Sequence, residues 1–284
     1  MSSQEAENVV TGSFGSLERI ILNSVLLLCL LVPRIFPFTL PLNVSQATRD
    51  MFKLVDQLPA GSVVLYDQGG NLDTWSLHGD GLIAVITHVL QRNLKLVIVE
   101  AGSSQGPIIA EMALNRLPPT LLGSKKYGVD YIHLGFLPGE EAAVSTLAMK
   151  FKDAYVKDAY GTAVSNLPLW GEIKDSTSFA LVVQQPWSQQ YTFYMRHWAQ
   201  SLKRPLVIVT DTSLIPNIQP FYASGQIAGF IGGVRGGAEY EALLARPAGA
   251  SGELGSLSLG VAVVLTCIVV SNVLRARKQR LAGR

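Results

Sequence analysis

The sequence predicts a three-layer, Rossmann-like α/β domain with a mainly parallel sheet of five to six strands, flanked by an N-terminal and a C-terminal transmembrane helix. Three observations support this prediction. Short apolar runs alternate with segments of helical length, the runs are continuously apolar, and a charge-free apolar stretch lies on each side of the region. Continuous apolar runs are typical of strands buried on both faces of a parallel sheet. Their alternation with helices indicates right-handed βαβ units.

The N-terminal part consists of a predicted tail over residues 1–16 and a predicted transmembrane or signal-anchor segment over residues 17–42. Its continuously apolar part is only 13 residues long and ends where Pro33 and Arg34 interrupt it. Because about 17 residues are needed to span a bilayer, flanking residues must contribute, with Arg34 reaching the interface. A cleaved signal peptide is the alternative, but a basic region before the apolar run and a small-residue cleavage site are both missing. We therefore expect a signal anchor.

The α/β domain is predicted over residues 43–246. A helix over residues 43–58 leads into the first strand. The five predicted strands cover residues 62–67, 95–101, 130–136, 179–185 and 205–211. The segments between them have the length and apolar spacing of helices. A sixth strand at Gln226–Gly233 is as well supported as a closely packed small-residue helix, and a helix is expected to follow it.

The C-terminal part contains the clearest membrane segment. Residues 247–253 are predicted to be a flexible tether rich in glycine, alanine and serine. Residues 254–274 are 21 residues without a charge, long enough at about 1.5 Å per residue to cross a hydrocarbon core of about 30 Å. Residues 275–284 form a basic tail, which the positive-inside rule places in the cytoplasm. The α/β domain is accordingly predicted to be extracytoplasmic, although the charges around the first segment favour the opposite orientation.

Charge and cysteine usage exclude several classes of function. The chain carries a formal net charge of +2, but residues 42–250 contain 16 basic and 17 acidic residues, a net charge of −1. A nucleic-acid-binding domain requires a basic stripe, which is absent. The two cysteines, Cys29 and Cys267, lie in the apolar segments, so no disulfide joins parts of the domain. We predict no cofactor. The expected partners are the membrane, a small polar ligand, and a partner protein or a second copy of the chain.

Candidate ligand-binding residues follow the predicted strands. Ligands of open parallel sheets bind at the carboxyl ends of strands, near the point where the strand order reverses. These ends are rich in amides, hydroxyls and carboxylates. The ligand-binding candidates are Asp67, Gly69, Gly70, Asn71, Glu100, Ser103, Ser104, Trp187, Asp211 and Thr212. The same residue types also serve as turn residues and helix caps, which is the competing interpretation.

These features lead to one main functional hypothesis. The sequence indicates a membrane-anchored domain that binds a small polar ligand or a partner protein without chemistry, as a subunit or scaffold of a membrane assembly. A metal site is not predicted, because the strand-end acids Asp67, Glu100 and Asp211 lack the tight spacing of a magnesium site. The histidines also lack metal-binding spacing, and His133, inside a strand, is expected to be a paired core residue.

The alternative is a serine hydrolase or peptidase. The G-x-S-x-G motif at residues 102–106 lies between a strand and a helix, and thereby resembles the nucleophile elbow of the α/β hydrolases. That resemblance implies Ser104 as the nucleophile, with an acid and a histidine on later strand ends. No histidine follows His197, which lies on a predicted helix, and His78 is the only one expected in a loop near this edge. We expect Ser104 to cap the following helix or to line a polar edge.

Overall fold

The computed structural model describes residues 16–38 and 40–282. All but the last residue of the predicted N-terminal tail, and the last two residues of the basic tail, lie outside the described residues. The chain divides into two compact units. The α/β unit is Thr39–Ser251, and the helical unit contains the residues through Phe38 and those from Gly252 onward. The α/β unit is close in extent to the predicted domain.

The α/β unit contains six strands and nine numbered helices among the described residues. The strands are β1 (Val63–Gly69), β2 (Lys95–Glu100), β3 (Tyr131–Phe136), β4 (Phe179–Pro186), β5 (Leu206–Thr210) and β6 (Gly229–Gly232). The helices are α2 (Gln46–Gln57), α3 (Trp75–Gln91), α4 (Gly106–Asn115), α5 (Pro119–Gly123), α6 (Glu141–Met149), α7 (Pro168–Glu172), α8 (Tyr191–Tyr194), α9 (Ile215–Ala223) and α10 (Gly233–Leu243). Helix α8 continues into a π-helical segment, Met195–Gln200.

The six strands form one parallel sheet in the order β3-β2-β1-β4-β5-β6. The predicted α/β class and the parallel sheet are confirmed, and the sixth strand is present. The strand order reverses between β1 and β4, which are hydrogen-bonded neighbours. A reversal of this kind is the switch point at which ligands bind in open α/β sheets.

Hydrophobic layers cover both faces of the sheet. Side chains alternate along β1, so that Val64 and Tyr66 belong to the core under α3 and α10, whereas Leu65 belongs to the core on the opposite face. All seven residues of β1 are buried. Because both faces need apolar side chains, successive residues must be apolar, which explains the continuous runs in the sequence.

The helical unit is described by itself. Helix α1 (Ser16–Ile35) contains Pro33 near its end, and helix α11 (Gly249–Ala282) contributes most of its length to this unit. Among the described residues, Gly249–Arg277 is the one helix long and apolar enough to cross a membrane. Its most apolar window is not buried, unlike the core helix of a soluble domain. The apolar part of α1, Ile20–Ile35, is shorter than a span.

Residues 247–253 differ from the expected flexible tether, because α11 already begins at Gly249. The buried Glu241 carboxylate caps this beginning and accepts hydrogen bonds from the backbone N–H groups of Ala250 and Ser251, at 2.9 and 2.8 Å. These N–H groups have no partner within the helix. The composition of the segment indicates flexibility, whereas a carboxylate outside the segment makes it helical.

The fold predicts a large loss of stability in the variant Val97→Asp. Val97 is fully buried on β2, so an aspartate there would place an unpaired charge in the core, at a cost of several kcal/mol. We expect the purified full-length variant to be unfolded, as measured by circular dichroism and thermal denaturation. The control is Val156→Asp, because Val156 is 80% exposed and the variant should melt like the native protein. An unchanged melting temperature for Val97→Asp would contradict the buried strand.

Candidate functional site

The candidate site lies at the carboxyl edge of the sheet, where β1 and β4 end side by side. Gly69 at the end of β1 pairs with Pro186 at the end of β4. From β1 the chain enters α3, which packs on one face, and from β4 it enters α8, which packs on the other face. The two connections therefore leave the sheet in opposite directions, which is the geometry at which open α/β sheets generally bind ligands.

Asp67 is the central charged group of this edge. Its carboxyl group is buried and accepts a 2.9 Å hydrogen bond from the Ala101 N–H, and its other oxygen lies 3.4 Å from the Gln184 Nε2. Burial raises the pKa of Asp67 to about 7, although the bonds from Ala101 and Gln184 lower it in part. The Tyr194 hydroxyl faces the same carboxyl group and lowers its pKa further, but without ordinary hydrogen-bond geometry. Asp67 is thus able to change its charge near neutral pH.

Several polar atoms at this edge are buried without a hydrogen-bond partner among the described residues. They are His78 Nδ1, Glu100 Oε2, Gln184 Oε1, Gln190 Nε2, the Tyr194 hydroxyl and Thr210 Oγ1. Buried polar groups in proteins are nearly always paired. Each unpaired group costs about 1–3 kcal/mol, so such a concentration needs an explanation other than stability.

Strand alternation sorts the polar residues onto the two faces. Side chains that are two residues apart on a strand point to the same face of the sheet. The core layer that contains Tyr194 also includes the residues two positions before Asp67, Gln184 and Thr210, so these three side chains lie on the face that this layer covers. Together with Gln190, which follows β4, these residues define the switch-point site: Asp67, Gln184, Gln190, Tyr194 and Thr210. This set brings one titratable carboxyl group together with four unpaired polar atoms.

The opposite face is more fully paired. The Tyr66 hydroxyl donates to the Gln68 side chain, whose amide in turn donates to Gln185. His78 is also buried here, and burial lowers the pKa of its imidazole to about 4, although Asp211 opposes the shift. His78 is therefore neutral near pH 7. It lies within α3 and not in a loop, so the expectation of a loop-placed base is wrong.

The two glycines of the G-x-S-x-G motif are explained by close packing. A Cβ on Gly102 would lie 2.9 Å from the Gly69 Cα, and a Cβ on Gly106 would lie 2.5 Å from the Glu100 Cγ. Neither distance is compatible with a side chain at these positions. The motif therefore allows the turns after β1 and β2 to touch, a requirement that is independent of any nucleophile.

The two serines of the motif have different surroundings. Ser103 is buried, donates a 2.6 Å hydrogen bond to the Asn71 side chain and accepts one from the Gln105 N–H. Ser103, not Ser104, thus pairs with the N–H groups before α4. Ser104 is exposed, and its hydroxyl has no hydrogen-bond partner among the described residues. The structure does not pair Ser104 with His78.

The remaining predicted candidates mostly shape turns. A Cβ on Gly70 would clash with the Gln185 side chain at 2.3 Å, and Asp211 accepts a hydrogen bond from the Ser213 N–H. Thr212 begins the turn that Asp211 caps. Trp187 is 45% exposed beside the switch-point site, and its backbone N–H donates to Gln190 Oε1 at 3.1 Å. Its role as a stacking surface for a ligand stays a prediction.

A second group of titratable residues surrounds His133 on β3. Its imidazole contacts Glu100 at 2.7 Å and Glu111 at 3.2 Å. Burial lowers the pKa of His133, but the two carboxylates raise it more, so that it lies above its ordinary value. Burial raises the pKa of Glu100, and the contact with His133 opposes that shift. His133 is therefore a paired core residue, as predicted, and it balances the charge of Glu100.

The turns at the carboxyl edge carry acids and no bases. Residues 67–74, 100–106, 136–141, 186–190 and 210–214 contain no lysine or arginine. Their acids are Asp67, Asp73, Glu100, Glu140, Glu141 and Asp211. This charge disfavours phosphate or carboxylate ligands. The described residues contain no group of three histidine, cysteine or acidic side chains arranged to hold a metal ion.

A cavity of about 400 Å³ lies near the end of β6, apart from the switch-point site. Its charged residues, Arg235 and Glu239, pair with each other at 3.0 Å. Glu239 also accepts hydrogen bonds from the Ser45 N–H and the Thr48 hydroxyl, and thereby caps α2. The charges of this cavity are thus committed to the fold.

Residues important to the site were missed among the sequence candidates. Gln184 and Thr210 were recognised at the ends of predicted strands but were not chosen as candidates, although paired glutamines at the end of an apolar strand are a recognisable signal. Gln190 and Tyr194 were not singled out. Tyr194 lies in a segment whose sequence predicts an ordinary helix. Comparisons with known protein families, curated proteins and solved structures found no match to this chain.

The isolation of Ser104 predicts that the protein does not react with a serine-hydrolase probe. A nucleophilic serine needs a base within about 3.2 Å, and the part of the chain that the structure describes places none at Ser104. We expect no labelling of the purified protein by a fluorophosphonate, measured by intact-protein mass spectrometry. The control is Ser104→Ala, which should give the same spectrum apart from its own mass change. Stoichiometric labelling that Ser104→Ala abolishes would establish the hydrolase instead.

Proposed function

We propose that this protein is a membrane-anchored binding protein whose α/β unit takes up a small polar ligand at the switch-point site. The observation that supports this proposal is the set of buried, unpaired polar atoms at the ends of β4 and β5 and on α8. Unpaired groups of this kind reduce stability unless a ligand pairs with them. A binding role therefore gives these residues a purpose that folding does not.

A catalytic role has less support. The hydrolase hypothesis depends on the G-x-S-x-G motif, yet packing accounts for both of its glycines. The hypothesis also requires a base in a loop near Ser104, and the sequence offered only His78 for this role. His78 is buried in a helix and has a lowered pKa. Without a base, Ser104 has the reactivity of an ordinary hydroxyl group.

A binding role predicts that Thr210→Val stabilises the unliganded protein. Valine has nearly the shape of threonine and removes a buried, unpaired hydroxyl, so the free energy of unfolding should rise by about 1 kcal/mol. The measurement is urea unfolding of the full-length protein in detergent, followed by tryptophan fluorescence.

Thr48→Val is the matched control. Thr48 is as deeply buried as Thr210, but its hydroxyl contacts Glu239 and Ser45 at 3.0 and 2.8 Å. Its replacement should lower the free energy of unfolding by about 1–3 kcal/mol. If Thr210→Val is destabilised as much as Thr48→Val, the Thr210 hydroxyl has a structural partner and the proposal loses its main support.

We also propose that α1 joins the C-terminal span as the second helix of the membrane anchor. In the helical unit, small residues recur every fourth position on α11 and face α1. The Ser256 hydroxyl donates to the Leu30 carbonyl at 2.8 Å, and a Cβ on Gly252 would lie 2.7 Å from the Pro33 carbonyl oxygen. Close approach at small residues is typical of helices packed in a bilayer.

The charges of the anchor support an orientation in which the α/β unit lies on the extracytoplasmic side of the membrane. Arg34 near the end of α1 pairs with Glu253 at 3.3 Å, which supports placing this end of the helix pair at the membrane surface. The basic residues lie at the other end of α11, at Arg275, Arg277 and Arg280. The positive-inside rule places that end in the cytoplasm and the α/β unit across the membrane. There it would act as a subunit or scaffold with a protein partner or a second copy.

This orientation predicts protease protection of the α/β unit from the cytoplasmic side. In sealed vesicles with the cytoplasmic face outward, added protease should remove only the chain ends, measured by immunoblotting against the domain. The control is the same digestion after permeabilisation with detergent, which should degrade the domain. Digestion of the domain in intact vesicles would reverse the orientation.

A further inference from the structure

We infer that the switch-point site binds the ammonium group of a small amino alcohol. This inference deepens the proposed function and rests on it. It specifies the charge of the ligand, its hydrogen-bonding groups and the residue that recognises each of them.

The site offers several oxygens that can accept hydrogen bonds, which suits an ammonium group. An ammonium has three N–H donors and no acceptor. Gln184 Oε1, Thr210 Oγ1 and the Tyr194 hydroxyl are unpaired oxygens, each more than nine-tenths buried, on the face that also holds the Asp67 carboxyl group. The Gln184 amide nitrogen already points toward Asp67, so its oxygen is left to accept from a ligand.

The charge of the site also favours a cation. Asp67 has no basic partner among the described residues, whereas the neighbouring Glu100 is paired with His133. The turns around the site contain no lysine or arginine that would compete for the carboxylate. A bound ammonium would supply the positive charge that a buried carboxylate requires, whereas an anionic ligand would be repelled.

One unpaired donor indicates a second polar group on the ligand. The side-chain oxygen of Gln190 accepts from the backbone N–H of Trp187, so the Gln190 Nε2 is free to donate. This nitrogen approaches Gly102, where a Cβ would lie 2.9 Å from it, and Gly102 follows the Ala101 that binds Asp67. A neutral acceptor, such as a hydroxyl, a short distance from the ammonium would pair with Gln190.

The protonation of Asp67 makes this binding dependent on pH. The titratable groups facing Asp67 are Tyr66 on its own strand, Glu100 on β2, Tyr194 on α8 and Tyr155 after α6, none of them a base. A cation binds the ionised carboxylate, so below the free-protein pKa of about 7 binding must first remove a proton. The affinity should therefore be constant above this pH, up to the pH at which the ammonium itself loses its proton, and fall about tenfold per pH unit below it.

The test compares three probes of nearly equal size: ethanolamine, ethylene glycol and glycolate. Binding to the full-length protein in detergent is measured by isothermal titration calorimetry at constant ionic strength, at pH 8 and pH 6. We expect ethanolamine to bind at pH 8 and to bind about tenfold more weakly at pH 6. Ethylene glycol and glycolate should bind at least tenfold more weakly than ethanolamine at pH 8.

The variants assign the binding to the site. Asp67→Asn keeps an acceptor for the Ala101 N–H but removes the charge, and should abolish ethanolamine binding. Asp153→Asn makes the same chemical change at an exposed position in the turn after α6 and should bind like the native protein. If Asp67→Asn does not fold, the pH dependence of the native protein remains as the second measurement.

The possible outcomes separate this inference from the proposed function. Equal or tighter binding of ethylene glycol or glycolate, lost in Thr210→Val, would overturn the cation inference and leave a polar-ligand site in place. Ethanolamine binding that is unaffected by Asp67→Asn, or that does not change with pH, would also overturn the inference. Failure of all three probes to bind would count against both.

Discussion

The central strand β1 is buried on both faces and hydrogen-bonded along both edges, and this constraint organises the rest of the α/β unit. Its apolar residues enter two separate cores, which a helical layer on each face must cover. Its polar residues, Asp67 and Gln68, then enter the interior at the carboxyl end, where both are buried away from solvent. The structure around them meets this demand with Ala101, Gln184 and Gln185.

More polar atoms are left unpaired on the α8 face than on the α3 face, and this asymmetry distinguishes a candidate site from a core. On the α3 face, Tyr66, Gln68 and Gln185 form a chain of hydrogen bonds. On the α8 face, Gln184 and Thr210 retain unpaired oxygens. Selection for stability alone would replace such groups with apolar side chains, because a buried unpaired group costs more than its hydrogen bond would contribute.

Helix α10 binds both ends of the α/β unit through buried carboxylates that accept hydrogen bonds from backbone N–H groups. Two of its glutamates are buried, and each caps the beginning of another helix. Glu239 accepts from the Ser45 N–H before α2, and Glu241 accepts from N–H groups at the beginning of α11. Charge–dipole attraction at helix N-termini offsets part of the cost of burying these carboxylates. The segment leading into the C-terminal helix is thereby ordered by a residue outside it.

The sequence by itself determined the α/β class, the strands and the apolar C-terminal helix, because these depend on local hydrophobic periodicity and segment length. Continuous apolar runs specify a doubly buried strand whichever neighbours it pairs with. His133 was also predictable as a core residue, since it lies inside such a run. These features require no knowledge of contacts between distant residues.

Only the tertiary structure decided which polar residues meet. Strand order brings Asp67 beside Gln184, which is 117 residues away, and hydrophobic pattern does not encode that order. The glycines of the G-x-S-x-G motif suggest a catalytic turn in the sequence. In the structure, glycine is required at both positions because Gly69 and Glu100 lie too close for a side chain. His78 follows turn-forming residues, yet it is buried in a helix. Pairing, burial and pKa arise from contacts across the chain, which is why the site emerged only from the folded arrangement.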